Sequence, residues 1–128
     1  MINILLSILK NIQNSFCFSG RINRKSFIVF FIFFQIYAHI LYYLVNLPLE
    51  TKSNFDKFLV ISVGILSIFG LLLIFSLFSS IVRRLHDLNT SAWWLLITFI
   101  PFGVLLFFAL PFKKGTQGTN KYGEPPID

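Results

Sequence analysis

Residues 81–94 read IVRRLHDLNTSAWW, and the fold follows from how this stretch is understood. Arg83 and Arg84 close a long apolar segment, and Trp93 and Trp94 open the next one. Cations at headgroup level followed by amphipathic rings at the interface is the order in which a chain leaves a bilayer and re-enters it. The stretch is therefore expected to be a tight turn between two membrane crossings.

The rest of the composition agrees. The 128 residues are 55% hydrophobic, 18% aromatic and 12% charged, with seventeen Phe. Soluble domains carry roughly 25% charged residues, so a soluble chain of this size would lack the polar surface to cover itself. The length allows one domain. The net charge of +6 would suggest nucleic acid in a soluble protein. Here the cations flank apolar runs, and attraction to anionic lipid headgroups accounts for them, so no nucleic-acid partner is expected. Cys17 is the single cysteine, which excludes an internal disulfide and a cysteine-built metal cluster. Phe16 before Cys17 does not suit lipoprotein processing, and the start lacks the basic region of a cleavable signal peptide.

Upstream of the central stretch, residues 58–82 carry no charge and read as a second crossing. Gly64, Ser67, Gly70, Ser76 and Ser80 give it small-residue positions where helix backbones can approach. Before it, the polar run 50–57 and Pro48 form a loop, and residues 27–49 read as the first crossing. Gln35 and His39, four residues apart, share one face of that helix. The basic hinge FSGRINRKSF over 18–27 precedes it, with Arg21, Arg24 and Lys25 placed to keep their charges in water. In residues 1–19, Ile4, Leu5, Ile8, Leu9, Ile12 and Phe16 recur at helical spacing, opposite Asn3, Ser7, Lys10 and Asn14. This is expected to be an amphipathic helix lying in the interface, with packing against the membrane domain as the alternative.

Downstream, residues 92–112 read as a third crossing, kinked near Pro101 and Gly103, and residues 113–128 as an irregular Gly/Pro-rich tail. With three crossings, parity puts the hinge and the RRLHD stretch on one face and the first loop and tail on the other. Lys and Arg counts of six against five leave orientation nearly tied, with a lean to a cytoplasmic hinge.

Three motifs give the chain a resemblance to a family of small bacterial inner-membrane proteins, catalogued as domain of unknown function 805. In the hinge, Phe18, Gly20, Arg21, Arg24 and Phe27 match the family pattern, while Ser26 and Ile28 replace a common acid and tryptophan. In the central stretch Arg83, Arg84, Leu85, His86, Asp87, Trp93 and Trp94 match, and Leu88-Asn89 stands where Thr-Gly is usual. In the tail Gly115, Gly118, Asn120, Tyr122, Gly123 and Pro125 are similar to the family's glycine-rich ending. The resemblance implies a multi-pass protein of the bacterial plasma (inner) membrane and no established activity.

For chemistry, His86-Asp87 is one adjacent pair, too few ligands for a metal shell, and His39 lies inside the first crossing. Asp87 is expected to pin the turn by accepting from Arg83, Arg84 or backbone N–H groups, with Trp93 and Trp94 as interface anchors. A sharper alternative has Arg21, Arg24, Arg83 and Arg84, with His86 beside them, converging on the phosphate of an anionic lipid or other ligand. No nucleophile with a placed base and no phosphate-cradling glycine loop is present. The expectation is thus an all-α membrane protein with three transmembrane helices, an interfacial N-terminal helix and an irregular tail. Its role is expected to be non-enzymatic, structural or partner-binding, without cofactor or metal. Its partners would be membrane lipids and either a second copy or another membrane protein; an oligomeric transporter or intramembrane enzyme has less behind it.

Overall fold

The computed structural model describes residues 2–48, 53–103 and 105–126. The loop residues 49–52, part of the expected first loop, and the last two residues of the tail lie outside them. Among the described residues there are four α-helices, α1 (Ile2–Gln13), α2 (Arg24–Val45), α3 (Asn54–Asp87) and α4 (Leu105–Ala109), with a 3-10 segment over Ala92–Phe99. One isolated bridge joins Asn120 and Gly123 in the tail.

The two long helices start at sequence-encoded caps. Asn23 accepts from the Ser26 N–H at 2.7 Å to begin α2. At the start of α3, Ser53 and Asp56 form a reciprocal capping box, satisfying two N–H groups that a helix start otherwise leaves open. Both helices are long and apolar enough to cross a membrane, with mean hydropathies of 2.0 and 2.9. At ~1.5 Å per residue α2 spans ~33 Å and α3 ~51 Å, against a hydrocarbon core of ~30 Å. They pack antiparallel. Tyr37 donates to the Leu66 carbonyl and sets its ring edge-on to Phe69 at 5.9 Å. Gly70 lets the Tyr37 and Leu41 side chains close against α3.

The hairpin's apolar flanks, such as Ile36, Ile40, Ile65 and Ile68, are exposed. The buried core gathers instead at the hinge end, where Ile22, Phe27, Leu85 and Leu110 pack together. There α1 lies across the last turns of α3. Ser76 donates to the Asn11 carbonyl at 2.7 Å, and Ser79 to those of Asn14 and Cys17. The carbonyls at the end of a helix have no partner within it; here serine hydroxyls of α3 supply them. Ser76 and Ser80, expected as small packing residues, are fully buried and serve as hydrogen-bonding groups under α1.

Three expectations are corrected. The second crossing does not stop at Val82: α3 runs on through Arg83, Arg84, Leu85, His86 and Asp87. Arginine is a good helix former, and the charges find partners without leaving the helix. The stop comes at Leu88-Asn89. The Thr90 N–H bonds the Leu85 carbonyl at 2.9 Å and the Asn89 N–H bonds that of His86 at 3.0 Å, the two bonds of a Schellman motif. Asn89 takes φ 59°, the left-handed position that glycine fills best and asparagine tolerates.

Residues 92–112 are not one helix. Eight residues of 3-10 geometry rise ~16 Å, about half of a hydrocarbon core. The chain then turns at Ile100–Gly103, where the Gly103 N–H bonds the Ile100 carbonyl at 2.9 Å. Pro101 offers no donor, Phe102 adopts φ 66°, and a Cβ on Gly103 would sit 1.7 Å from the Ile97 carbonyl oxygen. A continuous helix cannot pass this point. The segment comes back, and Leu110 ends in the same core as Leu85 and beside Arg84. Because it returns, the third correction follows. The tail lies against the hinge and the end of α3, on the face opposite to the one that three crossings would give it.

Candidate functional site: a buried arginine–aspartate node

The end of α3 carries one carboxylate between two guanidinium groups. Arg21 reaches Asp87 Oδ1 through Nε at 3.0 Å and Nη2 at 2.9 Å. Arg84, one helical turn before Asp87, donates to Oδ2. The three side chains are 1%, 4% and 0% exposed for Arg21, Asp87 and Arg84, so water screens little of the attraction.

A single carboxylate cannot neutralise two buried cations, and backbone carbonyls supply the balance. Arg84 Nε donates to the Leu110 carbonyl at 3.2 Å, and Nη2 donates to that of Lys113. Arg21 Nη1 donates to the carbonyls of Gly118 and Gly123 at 2.7 and 3.2 Å, and Nη2 to that of Thr116 at 2.6 Å. The Thr116 N–H and hydroxyl both donate to the Asp87 carbonyl at 2.9 Å. Five carbonyl dipoles from the tail and the end of the returning segment thus face the two arginines, which is how a buried charge excess is tolerated. The fit is close. A Cβ on Gly115 would lie 2.1 Å from Asp87 Oδ2.

His86 faces the tail. Its ring stacks on Tyr122 with centroids 3.8 Å apart and planes 8° from parallel, and Nδ1 lies 3.3 Å from the Gly20 carbonyl. The His86 carbonyl accepts from Asn120 Nδ2 at 3.0 Å, and Asn120 in turn pairs with Gly123 to close the tail's turn. Gly118 and Gly123, at φ 73° and 117°, make that path possible.

Arg83 points elsewhere. It is 7% exposed, and its Nη2 donates to Asn11 Oδ1 at 3.1 Å, which Ser80 shares. Arg24, the first residue of α2, lines an open cleft of about 320 Å³ with Lys25, Lys114 and the node's outer edge. The four arginines therefore do not converge on one point. Arg21 and Arg84 meet on Asp87, Arg83 joins α1, and Arg24 stands at the cleft. Asp87 has a broader role than the expected turn pin, since it ties hinge, helix and tail. Trp93 and Trp94 open the returning segment and are 77% and 54% exposed. His39 bonds the Gln35 carbonyl of its own helix at 2.7 Å. Among the described residues, no three His, Cys, Asp or Glu side chains group as a metal site.

Asn11, Gly115, Thr116 and Asn120 were not singled out as site residues by sequence. The tail's glycine spacing was the one signal that this segment has a fixed path.

The family model described as protein of unknown function (DUF805) matches residues 15–124. The chain is 32% identical to the inner membrane protein YhaH of Escherichia coli K12 over 120 residues, 92% of this chain and 93% of that protein. It is 32% identical to the inner membrane protein YhaI of the same strain over 122 residues, 94% of this chain and 92% of the relative. No solved structure matches.

Proposed function

The chain belongs to the DUF805 family, and from that premise we propose a non-enzymatic, structural or partner-binding protein of the bacterial inner membrane. The observation that carries the reading is the use of the node's donors. All three nitrogens of Arg21 and of Arg84 are bonded to groups of the same chain. Such a cluster fixes the cap on the α2–α3 hairpin and leaves recognition to the surface. That surface is apolar along both helices, with a shallow groove bounded by Phe34, Tyr37, Leu41, Gly70 and Ile74. Small residues and an aromatic-lined groove suit a neighbouring transmembrane helix, from a second copy or another membrane protein.

The test is a photo-crosslinking residue placed at Ile68 and, separately, at Leu71 in the native membrane. Discrete protein adducts from the groove side support the reading. Lipid adducts alone, together with a bare monomer in native mass spectrometry, overturn it.

An anionic-ligand role for the arginine face is the second reading, and the Arg24–Lys25–Lys114 cleft favours it. Replacing Arg24 and Lys114 together with Gln is expected to lower retention of anionic lipid more than replacing Lys57. Equal retention removes that reading.

A further inference from the structure

Under α1 lies a smaller polar cavity of about 70 Å³, lined among others by Ser7, Lys10, Asn11, Arg21, Ser26 and Arg83. Among the described residues, the buried side-chain atoms with no hydrogen-bond partner are Ser7 Oγ and Arg83 Nε. Both residues line this one cavity. Unmet buried donors are rare because each forfeits its hydration, and here two such residues line a single cavity.

The chemistry of the lining identifies the class of group it suits. Of its cations Arg21 is already paired with Asp87, which leaves Lys10 and Arg83, and no carboxylate is among the described lining residues. Arg83 donates to Asn11 Oδ1, a neutral amide, so its charge is not compensated at that contact. Water would satisfy the donors and leave the charge; a tetrahedral oxyanion does both. The face of α1 turned away from the cavity carries exposed Ile2, Leu5 and Leu9, the side chains with which a helix beds into acyl chains at the interface, which puts the cavity at headgroup level.

We propose that this cavity binds the phosphate group of an anionic lipid. Arg83 Nε–H and the Ser7 hydroxyl donate to the non-bridging oxygens, Lys10 supplies charge, and α1 holds the site at the interface with its opposite, apolar face among the acyl chains. Arg21 lines the cavity but its nitrogens are bonded to Asp87 and the tail carbonyls, so the ligand contacts fall on Ser7, Lys10 and Arg83, and their failure leaves the structural reading standing.

The test titrates the full-length protein with phosphatidylglycerol, phosphatidylcholine or inorganic phosphate, read by native mass spectrometry. Variants are Ser7→Ala and Lys10→Gln, with Lys57→Gln as the control near the start of α3. Phosphatidylglycerol is expected to bind in preference to phosphatidylcholine. Each of the two cavity variants should weaken it about tenfold or more, and the control should not. Inorganic phosphate that binds while phosphatidylglycerol gains nothing over phosphatidylcholine would overturn the lipid source. Ser7→Ala also separates ligand from architecture. If the cavity holds only water or nothing, that variant keeps wild-type lipid affinity and melts no lower, which overturns the proposal; Lys10→Gln, at the helix surface, decides the case if Ser7→Ala fails to fold.

Discussion

Replacing Asp87 by Asn is the most informative single change. The side chain keeps its volume, so no cavity opens, and the effect isolates the charge. What is lost is, among the described residues, the one carboxylate bonded to the two buried guanidinium groups, along with its three N–H···O and ionic contacts. The new amide group also presents a donor where Arg21 or Arg84 already donates. Removing one partner of a buried ion pair costs ~3–5 kcal/mol. With side-chain exposures of 1%, 4% and 0%, the full range applies here without discount for solvent. That is a large share of a typical stability of ~5–15 kcal/mol. The assay is equilibrium unfolding in a defined detergent followed by Trp93 and Trp94 fluorescence, with tryptic cleavage after the exposed Lys121 as a reporter of tail release. A second substitution sharpens it. In the Asp87→Asn background, Arg21→Gln removes one of the two uncompensated cations, so the double variant should lose less than the sum of the singles. An Asp87→Asn protein within ~1 kcal/mol of wild type, or strict additivity with Arg21→Gln, would refute the reasoning.

Two further outcomes follow from the backbone. Asn89→Gly relieves the left-handed residue after α3 and should gain up to ~1 kcal/mol, whereas Asn89→Val should lose ~1–2 kcal/mol, both in the same unfolding assay. The returning segment predicts that position 17 and the tail face the same compartment. Cys17 is exposed and is the chain's single cysteine, so it should react with a membrane-impermeant maleimide from the same side as Lys121→Cys in a Cys17→Ser background. Labelling from opposite sides would restore a third crossing.

The membrane class and both long helices were legible from local pattern, because hydropathy is a local property; the caps at Asn23 and Ser53 are local as well, but they were not among the expectations. The Arg83–Asp87 stretch misled because cations flanking an apolar run look alike whether a helix ends there or continues into a partnered cap. The segment 92–112 misled for a related reason. Hydropathy measures affinity for the bilayer and not path, and the close approach of Gly103 to the Ile97 carbonyl is a tertiary fact that a kink expectation only grazes. The Arg21–Asp87 pairing joins residues 66 apart in sequence. Motif positions named both residues, yet nothing local paired them, and the tail carbonyls that complete the cluster bear no side-chain signature.

The spacing of that cluster also sets an order in time. Arg21 is made early, but its partners lie 66, 95, 97 and 102 residues downstream. At a synthesis rate of ~5–20 residues per second the last of them arrives ~5–20 s after Arg21. Through that interval the long helices can insert, while the arginines at their ends remain hydrated. Only when the glycine-rich ending emerges can water be stripped from the guanidinium groups. Residues 116–123 therefore act as the latch on a fold whose earlier elements have been waiting for them.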